Sequence, residues 1–203
     1  MKKLLFLSLL LLSTAGAFAQ HEVGTLSIQP KVGLNIADFR HAGRCEMRLG
    51  LAAGAEVEYQ LAKRFSMSAG VLYSQQGTKR TKKYILMMDA KENIKVDYIN
   101  IPVMANVYVA EGLSLKLGVQ PAFNVRAKSK SSLEPLGIYS LSSLSDIGDD
   151  VKKFDFSIPI GISYEFKYIV VDARYNYGVT ALTKGSEPRN SVFQFTAGYK
   201  FCL

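Results

Sequence analysis

The side chains best suited to nucleophilic or metal chemistry are scarce. His21, His41, Cys45 and Cys202 are the only histidines and cysteines among 203 residues. A Ser–His–acid site needs a histidine within hydrogen-bond reach of the nucleophile, and a zinc site needs ligands at short repeated spacings. Neither spacing occurs: His21 precedes the first patterned segment, and His41 falls in a polar link. Both read as exposed link histidines. No phosphate-cradling loop is present, and Gly50-x-x-x-Gly54 lies in a strand-like stretch where helix dimerisation does not apply. No catalytic, cofactor-binding or metal-ligating residue is assigned, no cofactor is expected, and the chain reads as non-enzymatic.

Charges at alternating positions carry more information. Lys31, Glu56, Glu58, Lys116, Arg126, Asp155, Glu165, Asp172, Arg174 and Lys200 occupy the polar parity of segments whose other parity is apolar. Acids and bases that share one narrow space must pair or hydrate. Two uses follow: a structural plug of ion pairs, or a narrow passive path for ions or small solutes.

The elements that hold these charges are strands. In SVFQFTAGYKFCL the odd positions Phe193, Phe195, Ala197, Tyr199, Phe201 and Leu203 are apolar and the even ones polar or small. A period of two marks a strand with two unlike faces. Seven earlier segments alternate in the same way, beginning near Leu26, Leu49, Phe65, Ile99, Leu113, Phe154 and Ile169. Each reaches the roughly nine to eleven residues that a tilted strand needs to cross a bilayer. Short turns at 61–64, 110–112 and 166–168 alternate with long polar links at 38–48, 78–93, 128–153 and 183–190. The third long link is serine-rich and is expected to be mobile. Pro30, Pro102, Pro121 and Pro159 fall inside proposed strands, where a missing N–H must interrupt the ladder.

Which face is wet follows from volume and from aromatic placement. The apolar parity holds more bulky side chains than the interior of an eight-stranded barrel accepts. The opposite parity is rich in Gly50, Ala52, Gly54, Ser66, Ser68 and Gly70, which suits a crowded interior. Tyr59, Phe65, Tyr164, Phe166, Tyr199 and Phe201 cluster near the short turns. Tyr73, Phe123, Phe154, Phe156, Tyr175, Tyr177 and Phe193 cluster near the long links. Two aromatic bands around an aliphatic middle match the girdles of membrane barrels. The fold class is therefore all-β: an eight-stranded antiparallel up-and-down transmembrane β-barrel.

The address agrees. Lys2 and Lys3, the apolar run Leu4 to Leu12 and Ala17-Phe18-Ala19 form a secretory signal peptide over 1–19, which leaves 20–203 as the barrel domain. Cleavage removes two lysines and lowers the formal +8 charge to +6. An exported protein rarely meets nucleic acid, so none is expected as a partner. The positive balance points to outer-membrane lipid and lipopolysaccharide. Lys79, Arg80, Lys82 and Lys83, with Lys91, form a basic run in the second long link. It reads either as a solvated hairpin tip or as a contact for lipopolysaccharide phosphates. Cys45 and Cys202 fall at opposite ends of the barrel, too far apart for a disulfide.

The segments KVGLNIADF (31–39), GLAAGAEVEYQLAKRFSMSAGVLYSQQG (50–77), YINIPVMANVYV (98–109) and the closing FTAGYKF together resemble the PorT-like "porin family" of outer-membrane barrels, small barrels of OmpA/OmpX type. The resemblance covers nearly the whole chain after the signal peptide. It implies a Gram-negative outer-membrane location and a closing strand, with Gly198, Tyr199 and Phe201, that the barrel-assembly machinery reads. It implies no single activity. A role in envelope integrity, surface interaction or contact with a secretion partner through the long outer links is consistent with it, and a lipid-A-modifying enzyme is the remote alternative.

Overall fold

The computed structural model describes residues 22–40, 46–84, 88–135, 141–147, 151–182 and 188–203. The 1–19 segment, His21, His41 and Cys45 lie outside these residues.

The described residues form eleven β-segments: β1 (Leu26–Arg40), β2 (Glu46–Ala62), β3 (Phe65–Tyr84), β4 (Met88–Asn100), β5 (Val103–Ala110), β6 (Leu113–Pro135), β7 (Leu141–Asp146), β8 (Phe154–Phe166), β9 (Ile169–Gly178), β10 (Arg189–Tyr199) and β11 (Phe201–Cys202). They reduce to eight strands in a closed ring. β4 and β5 keep one register against β3, with Leu72 opposite Asn100 and Phe65 opposite Val107. β10 and β11 keep one register against β1, with Lys31 opposite Gly198 and Ile28 opposite Phe201. β7 pairs only with the outer part of β6. β1 pairs with both β2 and β10, and this closes the ring, so the band within the membrane has no open edge.

The in-strand prolines account for the apparent breaks. Pro102 separates β4 from β5, and there Ile101 N–H donates to Pro121 O at 2.8 Å and Gly70 N–H to Pro102 O at 3.0 Å. Pro30 stands where β10 gives way to β11. Pro159 stands where β6–β8 pairing lapses between Leu117–Ile160 and Gln120–Ser157. Each proline removes a rung without shifting register, so the faces on either side stay aligned. Glycine serves a different need on the inner face. An added Cβ at Gly54 would strike the Val71 carbonyl of β3, so only glycine lets these two strands approach so closely.

The faces divide as the alternation requires. Leu34, Leu51, Val71, Leu117, Ile160, Val171 and Phe195 are exposed on the outer wall, whereas Gln29, Asn35, Glu56, Asn106, Asp172 and Lys200 are almost fully buried inside. Aromatic rings join at both ends of the apolar band. Tyr199 lies 4.6 Å from Phe201 near the short turns, and Tyr175 lies 4.7 Å from Phe193 near the long links.

Two long links differ from expectation. Those at 78–93 and 128–153 are not irregular. The β3–β4 ribbon continues in register to Tyr84 opposite Met88, and β6 continues to Pro135 with β7 folded back against it. Beyond the bilayer no lipid imposes an apolar face on a ribbon, so the apolar alternation stops while the backbone ladder persists. β3, β4, β6 and β7 thus form a four-stranded sheet that rises above one side of the barrel.

Leu117→Arg, in the middle of the outer wall, is expected to lower stability by about 2–4 kcal/mol, and Met47→Arg near the outer rim by about 0–1 kcal/mol. Urea titration of protein folded into lipid vesicles measures both. Equal costs would invalidate the depth assignment.

Candidate functional site

The buried charges come together across the barrel. At mid-height, Arg174 of β9 donates through Nη1 and Nη2 to the two carboxylate oxygens of Glu56 of β2, at 2.6 and 2.8 Å. Lys31 of β1 bridges Glu56 Oε2 at 2.8 Å and Asp172 Oδ2 at 2.7 Å. Lys116 of β6 reaches Asp172 Oδ1 at 2.8 Å. Four strands thus lock one another through side chains that are nearly inaccessible to water. A forked Arg–carboxylate pair adds geometric definition as well as attraction.

A second cluster lies toward the short turns. Lys200 pairs with Glu165 at 2.7 Å and Glu58 at 3.2 Å. Glu58 Oε1 also accepts from Ser66 Oγ and Tyr108 Oη, both at 2.6 Å, and Asn106 donates to Ser66 at 3.0 Å. The mid-height cluster has three cations and two carboxylates, and the lower one a single cation and two carboxylates. Each cluster is off balance by one charge in opposite senses, and together they are neutral.

Toward the long links, polar side chains give way to apolar ones. Asp155 is held by neutral donors: Asn190 Nδ2 at 2.6 Å, the Phe156 N–H at 2.9 Å, and Thr180 Oγ1. Asn190 also donates to Tyr98 Oη at 3.2 Å. Above this layer Phe39, Val96, Ala127, Val151 and Leu182 pack with Tyr98 into a buried apolar cluster. Val151 lies between β7 and β8 and Leu182 between β9 and β10, and both side chains turn inward over the mouth. The barrel holds ion pairs below and an apolar stopper above.

Nine of the ten charges expected inside are there: Lys31, Glu56, Glu58, Lys116, Asp155, Asp172, Arg174 and Lys200 are buried, and Glu165 is half-buried at the lower end. Arg126 is the correction. The β4–β6 register steps from Tyr98–Asn124 to Asp97–Arg126, which leaves Val125 as an extra residue. That bulge reverses parity, so Ala127 is buried and Arg126 is exposed on the outer wall. The structure also brings in side chains that sequence reasoning passed over. Tyr98 and Tyr108 share the inner parity of β4 and β5, and that parity was the signal for them. Arg48, assigned to a link, lies on β2, buried, and donates to the Gln76 carbonyl. No periodic signal marked Val151 or Leu182.

The other expected positions are placed as follows. Lys79 is exposed at the outer part of β3. Arg80, Lys82 and Lys83 continue that ribbon in register with Glu92, Ala90 and Asp89, and Lys91 stands opposite Thr81. Tyr199 and Phe201 face outward beside the β1 seam, with Lys200 inward between them and Gly198 opposite Lys31. Cys202 is exposed and stands opposite Ser27 at the short-turn end.

A closed antiparallel ring with an apolar outer wall, aromatic bands at both ends and a charged dry interior defines an integral β-barrel of the Gram-negative outer membrane. The chain belongs to the outer membrane protein beta-barrel domain family, whose match spans residues 18–184. Comparison with curated proteins finds no match. Among solved structures, the chain is similar to Ail, the attachment invasion locus protein of Yersinia pestis. Identity is 16% and the TM-score 0.45, over 89% of this chain and 100% of that one. It is similar to Neisserial surface protein A at 14% identity and a TM-score of 0.48, over 87% and 97% of the two chains. A de novo designed transmembrane β-barrel aligns at 12% identity and a TM-score of 0.42, over 91% and 100%.

Glu56→Met leaves the Arg174 guanidinium and the Lys31 ammonium short of a carboxylate and is expected to cost about 3–5 kcal/mol. Adding Arg174→Met removes one orphaned cation and is expected to recover part of that loss. A double-mutant cycle from vesicle unfolding curves gives the coupling. Additive losses would contradict the fork.

Proposed function

We propose that this protein is a non-enzymatic outer-membrane barrel whose interior is a sealed structural plug and whose working surface is the part outside the bilayer. Export on the 1–19 signal peptide and reading of the closing strand by the barrel-assembly machinery belong to this proposal, as does a kinship with the PorT-like group. The single observation that carries it is the filled lumen. Eight buried or half-buried charges satisfy one another across the barrel, and an apolar cluster covers them on the outer side. An ion entering this path would have to cross a dry apolar layer and then break pairs whose separation is costly. The carboxylates engaged in pairing have no open cleft in which to serve as acid or base. The remaining elaborated surface is the tall sheet β3–β4–β6–β7, which fits a role in surface interaction, envelope integrity or contact with a secretion partner.

Planar-bilayer recording tests the plug. Purified protein is expected to give no steady conductance, and the same result is expected at high salt. Stable, ion-selective steps from single molecules would replace the plug with the narrow channel. Lipid A profiles from cells with and without the protein are expected to be identical by mass spectrometry. A protein-dependent change in acylation would overturn the non-enzymatic reading.

A further inference from the structure

The outer wall carries a cross-strand ladder of cations directly above one aromatic row. The row Tyr73–Ile99–Phe123–Phe154 is in register across β3, β4, β6 and β8, and Phe123 and Phe154 rings meet edge to face at 5.7 Å. Rings of this kind sit at the level where acyl chains end. Two residues further out stand Gln75, Asp97 and Arg126, then Gly77, Lys95 and Lys128, then Lys79, Asn93 and Lys130. Lys79, Lys95, Arg126 and Lys130 are exposed and Lys128 is half-buried. The acids in register with these rows are Asp97, which accepts from Tyr73 Oη at 2.9 Å, Asp146 opposite Lys128, and Glu46 of β2 opposite Lys79. Five cations therefore outnumber three carboxylates on one flank, and the three around its centre, Lys95, Arg126 and Lys128, face two.

Spacing and height suit one kind of ligand. Successive rows on one face lie about 7 Å apart, and neighbouring strands about 4.8 Å apart. The cations thus occupy a patch on the order of 10–15 Å across, starting one row above the aromatics. Arg126 reaches this face only because the Val125 bulge turns it outward, which places a planar, forked donor at the lowest cationic row. From these placements we infer that the flank β3–β4–β6 binds the phosphate-bearing headgroup of an outer-leaflet lipid, standing beside the barrel with its acyl chains against the apolar wall below. The contact lies on the flank of the wall, with Arg126, Lys95 and Lys128 at its centre and Lys79 and Lys130 above. A soluble anion would gain the charge attraction alone. A lipid gains it together with the apolar wall, and the patch adjoins the headgroup layer.

The test uses full-length mature protein in nanodiscs of zwitterionic lipid doped with diphosphorylated lipid A, read by native mass spectrometry of retained lipid. Wild type is expected to retain the phosphorylated lipid and to lose it as ionic strength rises. The Lys95→Glu/Arg126→Glu/Lys128→Glu variant is expected to weaken retention at least about a hundredfold, since each surface cation contributes roughly a fivefold factor toward anionic lipid. Lys63→Glu/Arg64→Glu, at the exposed short turn, makes the same kind of change at the opposite end and is expected to leave retention unchanged. Heat-modified gel mobility confirms that each variant is folded. Equal retention of the dephosphorylated lipid would overturn the proposal, as would an equal loss in the short-turn variant. Displacement of the bound lipid by millimolar inorganic phosphate would overturn it in favour of a free-anion site. None of these outcomes depends on whether the lumen conducts, so the plug and the lipid contact stand or fall separately.

Discussion

Hydrocarbon surrounds this molecule, and charges placed on strands that cross it have nowhere to go but inward. Once inside, they must cancel. The two ion clusters do this jointly, each carrying the charge that the other lacks, and the rest of the interior is arranged around that balance. Ser66, Ser68, Gly70 and Ser74 keep the inner parity of β3 small where long side chains from β1, β2, β6 and β9 already fill the centre. Tyr108, Ser66 and Asn106 supply neutral donors where the cluster has more carboxylate oxygens than cations to meet them.

The same constraint explains how the ladder tolerates proline. A missing N–H leaves one carbonyl without its usual partner, a costly state in hydrocarbon. Around Pro102 the neighbouring strands supply other donors and acceptors, so Ile101 and Gly70 bond to proline carbonyls instead. Rungs are lost singly and faces are never inverted. The extra residue Val125, by contrast, inverts a face just above the aromatic row, where reversed parity exposes a cation to headgroups instead of acyl chains.

The sequence made the membrane-embedded part legible because two solvents act on opposite faces of each strand. Alternation in 193–203 identified the outer wall residue by residue, and the opposite parity collected the charges that the structure brings together. Three features escaped it for physical reasons. The upper parts of β3, β4 and β6 rise beyond the hydrocarbon, where no lipid imposes an apolar face, so no alternation marks them as strands. Arg126 was misplaced because a bulge adds one residue without changing composition. Val151 and Leu182 lie in segments without periodicity, and only the three-dimensional path shows that they turn over the mouth. The pairing of Arg174 with Glu56 needed the ring to close before it could be read at all.

The tall sheet stands on one side only. β8, β9 and β10 end near Phe154, Gly178 and Arg189, while β3, β4 and β6 continue well past the corresponding rows. Seen from above, the barrel has a front and a back, although its membrane band is a closed ring. Another protein can slide flush against the low flank, whereas the high flank meets it first with a charged palisade. Crowding in the plane of the membrane therefore sorts neighbours by bearing as well as by distance, and a structure with no obvious lateral interface still has a preferred heading.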